Sequence, residues 1–192
     1  KSFDMIINKS DIAIVNGNDY KKESDHIISF GSNDCDVNFK YEDGKVYILN
    51  KPFYLPYNGL HFAYDFVGAY LVCKLLNVKD IDIQKKLYSF VLPKRRMDTV
   101  EINNQIVISD YAHHPTEIAA TLSAAKQLEY NNVIAVFQPF TFSRTALLKD
   151  DFIKALSIAD KVILTPIMGS REVNTYGITS EQLAEKIENC VC

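Results

Sequence analysis

Ile106-Val107-Ile108-Ser109-Asp110-Tyr111-Ala112-His113-His114-Pro115-Thr116-Glu117-Ile118 decides the reading of this chain. An apolar run leads into a carboxylate, a phenol and two imidazoles, and Pro115 then opens a helix. Proline suits a first helical position, because its missing N–H would have no partner there. Ile118, Leu122, Ala125 and Leu128 follow at the spacing of one buried helix face. The polar cluster is therefore expected in a strand-to-helix loop at the carboxyl end of a strand. Open α/β sheets hold their ligands there.

Working outward, the residues after this loop alternate between the two kinds of element. The pattern gives a strand over Val133–Phe137, a helix over Leu147–Ala159, a strand over Val162–Leu164 and a helix over Ser180–Ile187. Such βαβα alternation implies a parallel sheet flanked by helices. Just before the loop, Thr99–Ile102 and Ile106–Ile108 flank Asn103-Asn104 as a hairpin. Further upstream, a short buried strand is expected within Ser10–Asn16, and Val37–Tyr41 and Lys45–Leu49 form a hairpin around Asp43-Gly44. A third short strand at Phe53–Pro56 precedes two helices, Gly59–Leu76 and Ile81–Phe90. Pro93-Lys94-Arg95-Arg96 reads as the linker, which puts a domain boundary near Arg96.

Composition narrows the classes. The 192 residues are 47% hydrophobic and 23% charged, the profile of a globular chain with a proper core. A net charge of −3 without blocks of like charge argues against nucleic acid or an anionic membrane as partner. The four cysteines, Cys35, Cys73, Cys190 and Cys192, lack a CxxC pair and read as free thiols of a reducing compartment. No signal peptide or spanning segment is visible, so a cytoplasmic protein is expected. No G-x-x-x-x-G-K-[ST] loop occurs, and the chain begins at Lys1 without an initiator methionine. It reads as a piece of a longer protein, and without a phosphate loop the isolated piece is expected to be inactive.

Several side chains can carry chemistry. A carboxylate at Asp110 can accept both hydroxyls of a ribose; taken alone, it reads more readily as a plain acid at a helix start. His113 and His114 are adjacent, so their side chains diverge, and no further ligands complete a metal site. One imidazole capping the helix is the structural alternative. Arg96 suits phosphate, because a guanidinium fork binds two oxygens and stays charged, although arginines after a linker are commonly just solvated. Arg144, in the loop after Val133–Phe137, is an economical partner for a free amino acid's carboxylate.

Asp110-Tyr111-Ala112-His113-His114-Pro115-Thr116-Glu117 resembles the signature that opens the C-terminal domain of the Mur ligases. Val136-Phe137-Gln138-Pro139-Phe140-Thr141-Phe142-Ser143-Arg144-Thr145 is a second match, and Ile167-Met168-Gly169-Ser170-Arg171-Glu172 a third. Lys94-Arg95-Arg96-Met97 is similar to the paired arginines where that family's central domain hands over to its last. The resemblance covers nearly the whole chain. It implies an α/β fold: residues 1–96 as the tail of a central ATPase domain, and 97–192 as a Rossmann-like domain with a mostly parallel sheet. A final strand and glycine-rich turn of the family lie outside these residues, so the last sheet layer is expected to be incomplete.

By the same resemblance, the activity is that of an ATP-dependent ligase adding L-alanine to UDP-N-acetylmuramate in peptidoglycan synthesis. ATP and Mg2+ are implied, both held largely by another part of the protein, with no metal ligands here. Arg96 would reach the nucleotide's phosphates, Asp110 its ribose, and His61 and Asp65 its base. Tyr111 and His113 would stand beside the incoming amino acid, with Arg144 on its carboxylate. Two departures matter. The family pattern G-x-H-N-x-x-N holds adenine through asparagines, and Phe62 and Asp65 stand in their places in Gly59–Asp65. Some relatives have histidine and arginine where this chain has Phe140 and Thr141, which bears on substrate identity. Two alternatives remain open: a non-catalytic binding module on the same scaffold, and a ligase that attaches a peptide instead of L-alanine.

Overall fold

Residues 2–128 and 130–192 are described by a computed structural model. Their contacts fall into two units, Lys1–Val91 and Leu92–Cys192. The first contains α1 (Ser2–Lys9), β1 (Ala13–Asn16), β2 (Ile27–Gly31), β3 (Val37–Glu42), β4 (Lys45–Ile48), β5 (Lys51–Tyr54), α2 (Leu60–Leu75) and α3 (Asp80–Tyr88). The strands run in order β1-β2-β3-β4-β5, with β1, β2 and β3 parallel and the last two joined as hairpins. Asp43 and Gly44 both take positive φ, 50° and 71°, as a two-residue hairpin turn requires. Leu49 and Asn50 do the same at 49° and 62°, a turn that leucine does not advertise. On α2, Ala63, Phe66, Val67, Tyr70 and Leu71 form one buried stripe. It meets Phe39, Val46, Ile48 and Phe53 of the sheet. Asn77, at φ 58°, takes the left-handed conformation that follows a helix end.

Two carboxylates of this unit are held far below their usual range. Asp36 falls from the usual 3.8 to about 2, first through the Ser29 N–H and then through Lys22 and the Ser29 hydroxyl. Asp80 also falls to about 2, because Lys51 and Lys74 donate to it at 2.7 and 2.8 Å. A folded-state value below the unfolded one means stability that is complete above pH 4 and lost as pH falls towards 2. Partial exposure keeps each contribution below about 1 kcal/mol. The urea midpoint is therefore expected to drop between pH 4 and 2.5, and Asp80→Asn to make that drop shallower. Equal slopes would remove Asp80 from the account.

The second unit holds β6 (Asp98–Ile102), β7 (Gln105–Ser109), α4 (Pro115–Lys126), β8 (Ile134–Phe137), α5 (Phe142–Leu147), α6 (Lys149–Leu156), β9 (Lys161–Leu164), α7 (Ser180–Ala184) and β10 (Cys190–Val191). Strands β10, β9 and β8 form an all-parallel sheet in that order. Its centre gathers Ile118 and Leu122 of α4, Phe152 and Leu156 of α6, Val162 and Leu164 of β9, and Leu183 of α7. The fold is thus mixed α/β with a parallel sheet, as the alternation of elements implied. Among the described residues, no helix is long and apolar enough to cross a membrane.

Some elements differ from the sequence reading, α1 and β10 among them, which were not expected. β2 is an unforeseen strand, because Ile27-Ile28-Ser29-Phe30 is too short an apolar run to announce its period. The helix expected over Leu147–Ala159 is α6, Lys149–Leu156, and an unforeseen short helix, α5, precedes it, the two separated at Leu148, where φ is −112° and ψ 24°. The hairpin expected around Asn103-Asn104 does form: β7 is laddered to β6 across Asn103 and Asn104 at φ 49° and 60°, and has no ladder to the parallel sheet among the described residues. A groove of about 600 Å³ separates β7 from β8, floored by Ile118, Leu122 and Ala125 of α4. The two-residue turn makes the local ladder the easiest pairing to close.

Candidate functional site

The loop from β7 to α4 is built around Asp110. One carboxylate oxygen accepts the Ala112 N–H at 2.8 Å and the other the Met97 N–H at 2.9 Å. Those bonds use one lone pair on each oxygen and leave others for a ligand. Arg95 and Met97 sit at φ 62° and 47°, conformations that non-glycine residues adopt only when their surroundings hold them. Asp110 supplies part of that hold, and the buried Met97 side chain supplies more. The Arg95 guanidinium lies 4.7 Å from the centre of the Tyr111 ring, a cation–π contact. Arg96, between them, is exposed.

The start of α4 explains both histidines. His114 is the N-cap; its Nδ1 accepts the Thr116 N–H at 3.4 Å. Glu117 reaches back to accept the N–H groups of His113 and His114 at 3.0 and 3.1 Å. Burial works to raise the Glu117 carboxyl, but those two N–H bonds and the charges of His113 and Arg96 outweigh it and lower its pKa. His113 Nδ1 donates to the Tyr111 carbonyl at 3.0 Å, and the two rings meet edge-on with centres 5.4 Å apart. Tyr111 is half exposed. The loop therefore presents a phenol and an imidazole side by side, above a carboxylate held by backbone donors.

Arg144 belongs to α5, which four residues separate from β8. Its Nη1 donates to the Phe140 carbonyl at 3.1 Å, leaving the other guanidinium donors of the fork available. In the first unit, His61 and Asp65 lie one turn apart on α2, so they share a helix face. Phe62 is half buried, with its ring 4.0 Å from that of His61 and 5.8 Å from that of Tyr57. Of the residues singled out from sequence, Arg96, Asp110, Tyr111, His113 and Arg144 belong to the second unit, and His61 and Asp65 to the first. Among the described residues, no group of three or more histidine, cysteine or acidic side chains is placed to hold a metal.

Sequence reasoning did not reach the Arg95–Tyr111 stack or the bonds that Glu172 makes. Arg95 was visible only as the neighbour of Arg96. Glu172 stood inside the third quoted motif, without a role.

The family model of the Mur ligase, glutamate ligase domain matches residues 95–191. The chain belongs to the Mur ligase family. All three motifs and Arg96 fall inside the matched range. The Mur ligase signal extends beyond it: the chain is 38% identical over 181 residues to UDP-N-acetylmuramate–L-alanine ligase of Clostridium botulinum, covering 88% of this chain and 40% of that protein. It is 44% identical over 131 residues to the enzyme of the same name from Caldicellulosiruptor bescii, covering 68% of this chain and 29% of the relative. The crystal structure of UDP-N-acetylmuramate-alanine ligase from Thermotoga maritima shares the fold, with a TM-score of 0.71, 20% identity, and 96% of this chain against 42% of that one. This Mur ligase chain thus spans 29% to 42% of the length of the three relatives just named.

Proposed function

We propose that the chain is the C-terminal portion of an ATP-dependent ligase that joins L-alanine to UDP-N-acetylmuramate in the cytoplasm. The observation that carries this is the 38% identity over 181 residues to a ligase of that name. In this reading, residues 1–96 end the ATP-binding domain and 97–192 form the amino-acid-binding domain. The lactyl carboxylate takes the terminal phosphoryl group of ATP, giving an acyl phosphate and ADP. The amine of L-alanine then attacks the acyl carbon, the amide forms, and phosphate leaves.

Each residue has a task that its surroundings support. The free lone pairs of Asp110 accept the ribose hydroxyls, and the exposed Arg96 fork takes phosphate oxygens. His61 and Asp65 face the base; Phe62 supplies a ring to stack where an amide is absent. Arg144 takes the carboxylate of L-alanine, flanked by Tyr111 and His113. Covering the acyl phosphate with this loop excludes the water that would hydrolyse it. Among the described residues no cluster of three or more histidine, cysteine or acidic side chains is placed to hold a metal, and in this reading Mg2+ would be held largely by another part of the protein.

The test is turnover by the full-length protein that contains this chain. ADP release is expected only when UDP-N-acetylmuramate and L-alanine are both present. Release with a short peptide carrying an N-terminal L-alanine, but not with L-alanine itself, would transfer the protein to the peptide-attaching class. No ADP release with either acceptor, together with measurable nucleotide binding, would favour the non-catalytic module.

A further inference from the structure

The third motif, Ile167–Glu172, has no part in the chemistry set out above, and its last residue makes a concentrated set of bonds. Oε1 of Glu172 accepts from the Thr141 hydroxyl at 2.8 Å and from the Ser143 hydroxyl at 2.6 Å. Oε2 accepts the Ser143 N–H at 2.8 Å. One carboxylate thus gathers three donors from a segment 29 to 31 residues away in sequence. These bonds hold the Glu172 carboxyl below the usual range, the Ser143 hydroxyl contributing most.

The donors surround Arg144. Thr141 is the N-cap of α5, and its own side chain makes no capping bond to the helix; Glu172 serves the first-turn donor at Ser143 in its place. On the other side, the wholly buried Thr145 donates its N–H at 2.9 Å and its hydroxyl at 2.6 Å to the Thr141 carbonyl. The residues before and after Arg144 are therefore both tied, while the Arg144 guanidinium itself bonds the Phe140 carbonyl and its backbone carbonyl accepts the Leu148 N–H.

The turn that carries Glu172 is fixed in the same way. Met168 N–H donates to the Pro139 carbonyl at 2.9 Å, and Phe140 and Met168 pair as a parallel bridge. Glu172 N–H closes the turn on the Gly169 carbonyl at 2.9 Å. Gly169 lies so close to the Phe142 ring that a Cβ there would collide with it. The motif's glycine thus allows the approach, and its glutamate makes the bonds.

We propose that Glu172 is a positioning residue that sets the Arg144 guanidinium for the substrate's carboxylate. This rests on the reading of Arg144 given above. A guanidinium fork needs its direction as well as its charge, and an α5 of six residues is too short to fix that direction alone.

The experiment uses the full-length ligase with four variants: Glu172→Ala, Glu172→Gln, Arg144→Ala and the double Glu172→Ala/Arg144→Ala. Glu172→Ala is expected to raise the KM for L-alanine about tenfold while leaving that for ATP unchanged. Glu172→Gln keeps one oxygen for the Ser143 N–H and should recover part of the loss. In the double variant, Glu172→Ala should add nothing to the effect of Arg144→Ala, because its whole action passes through that side chain. Hydrogen exchange at the Ser143 amide should quicken in Glu172→Ala. Additive effects in the double variant, or an equal rise in both KM values, would reduce Glu172 to a prop of the fold and overturn the proposal. An unchanged L-alanine KM in Arg144→Ala would instead overturn the carboxylate reading, and this proposal with it. If Glu172→Ala does not fold, the same comparison made with Glu172→Gln decides it.

Discussion

Arg144→Ala in the full-length ligase is expected to raise the KM for L-alanine about 10- to 100-fold, with the KM for ATP within about twofold of the parent. In the proposed role, the substitution removes a paired, charge-assisted bond to the substrate's carboxylate, each such bond being worth about 1.5–3 kcal/mol. The free amino acid is small, and its methyl group offers little area to bury, so its charged ends must supply most of its affinity. Arg144→Lys should recover little. It restores a positive charge but not the planar fork, nor the hold that one nitrogen keeps on the Phe140 carbonyl. If L-alanine KM stays at the parent value in both variants, Arg144 is a surface arginine and the carboxylate partner lies elsewhere.

This site was unevenly legible in the sequence. The loop from Asp110 to Pro115 could be read directly, because proline, a helical apolar period and a preceding strand are all local signals. His114 as helix cap was open from sequence, since two adjacent imidazoles compete for the role; the backbone gives it to His114 and gives Glu117 the return bond. α2 declared itself through its buried stripe. Glu172 could not be assigned, because its partners lie 29 to 31 residues upstream and come together only when β8 and β9 pair. The left-handed backbone at Arg95 and Met97 was equally hidden. Neither residue type favours that conformation, and only the carboxylate at Asp110, 13 residues on from Met97, shows what sustains it.

That dependence makes Asp110 the residue whose loss should do the most. Asp110→Ala deprives the Met97 and Ala112 N–H groups of their acceptor, at about 1–3 kcal/mol for a donor left unpaired away from water. The melting temperature of the nucleotide-free protein is expected to fall accordingly. Asp110→Asn keeps one acceptor oxygen and should fall about half as far. Stability alone cannot reveal a ribose ligand, because the clasp explains the same loss. Deoxynucleotides separate the two roles. If the carboxylate holds the 2′-hydroxyl, 2′-deoxy-ATP should bind the parent about tenfold more weakly than ATP, from the loss of one charge-assisted bond. Asp110→Asn should then bind the two nucleotides more nearly alike, since the stronger acceptor is already gone. An equal penalty for the missing hydroxyl in parent and variant would leave Asp110 with the backbone alone. The effect on ATP would then come indirectly, through the Arg95–Met97 segment that it holds and the Arg96 fork within it.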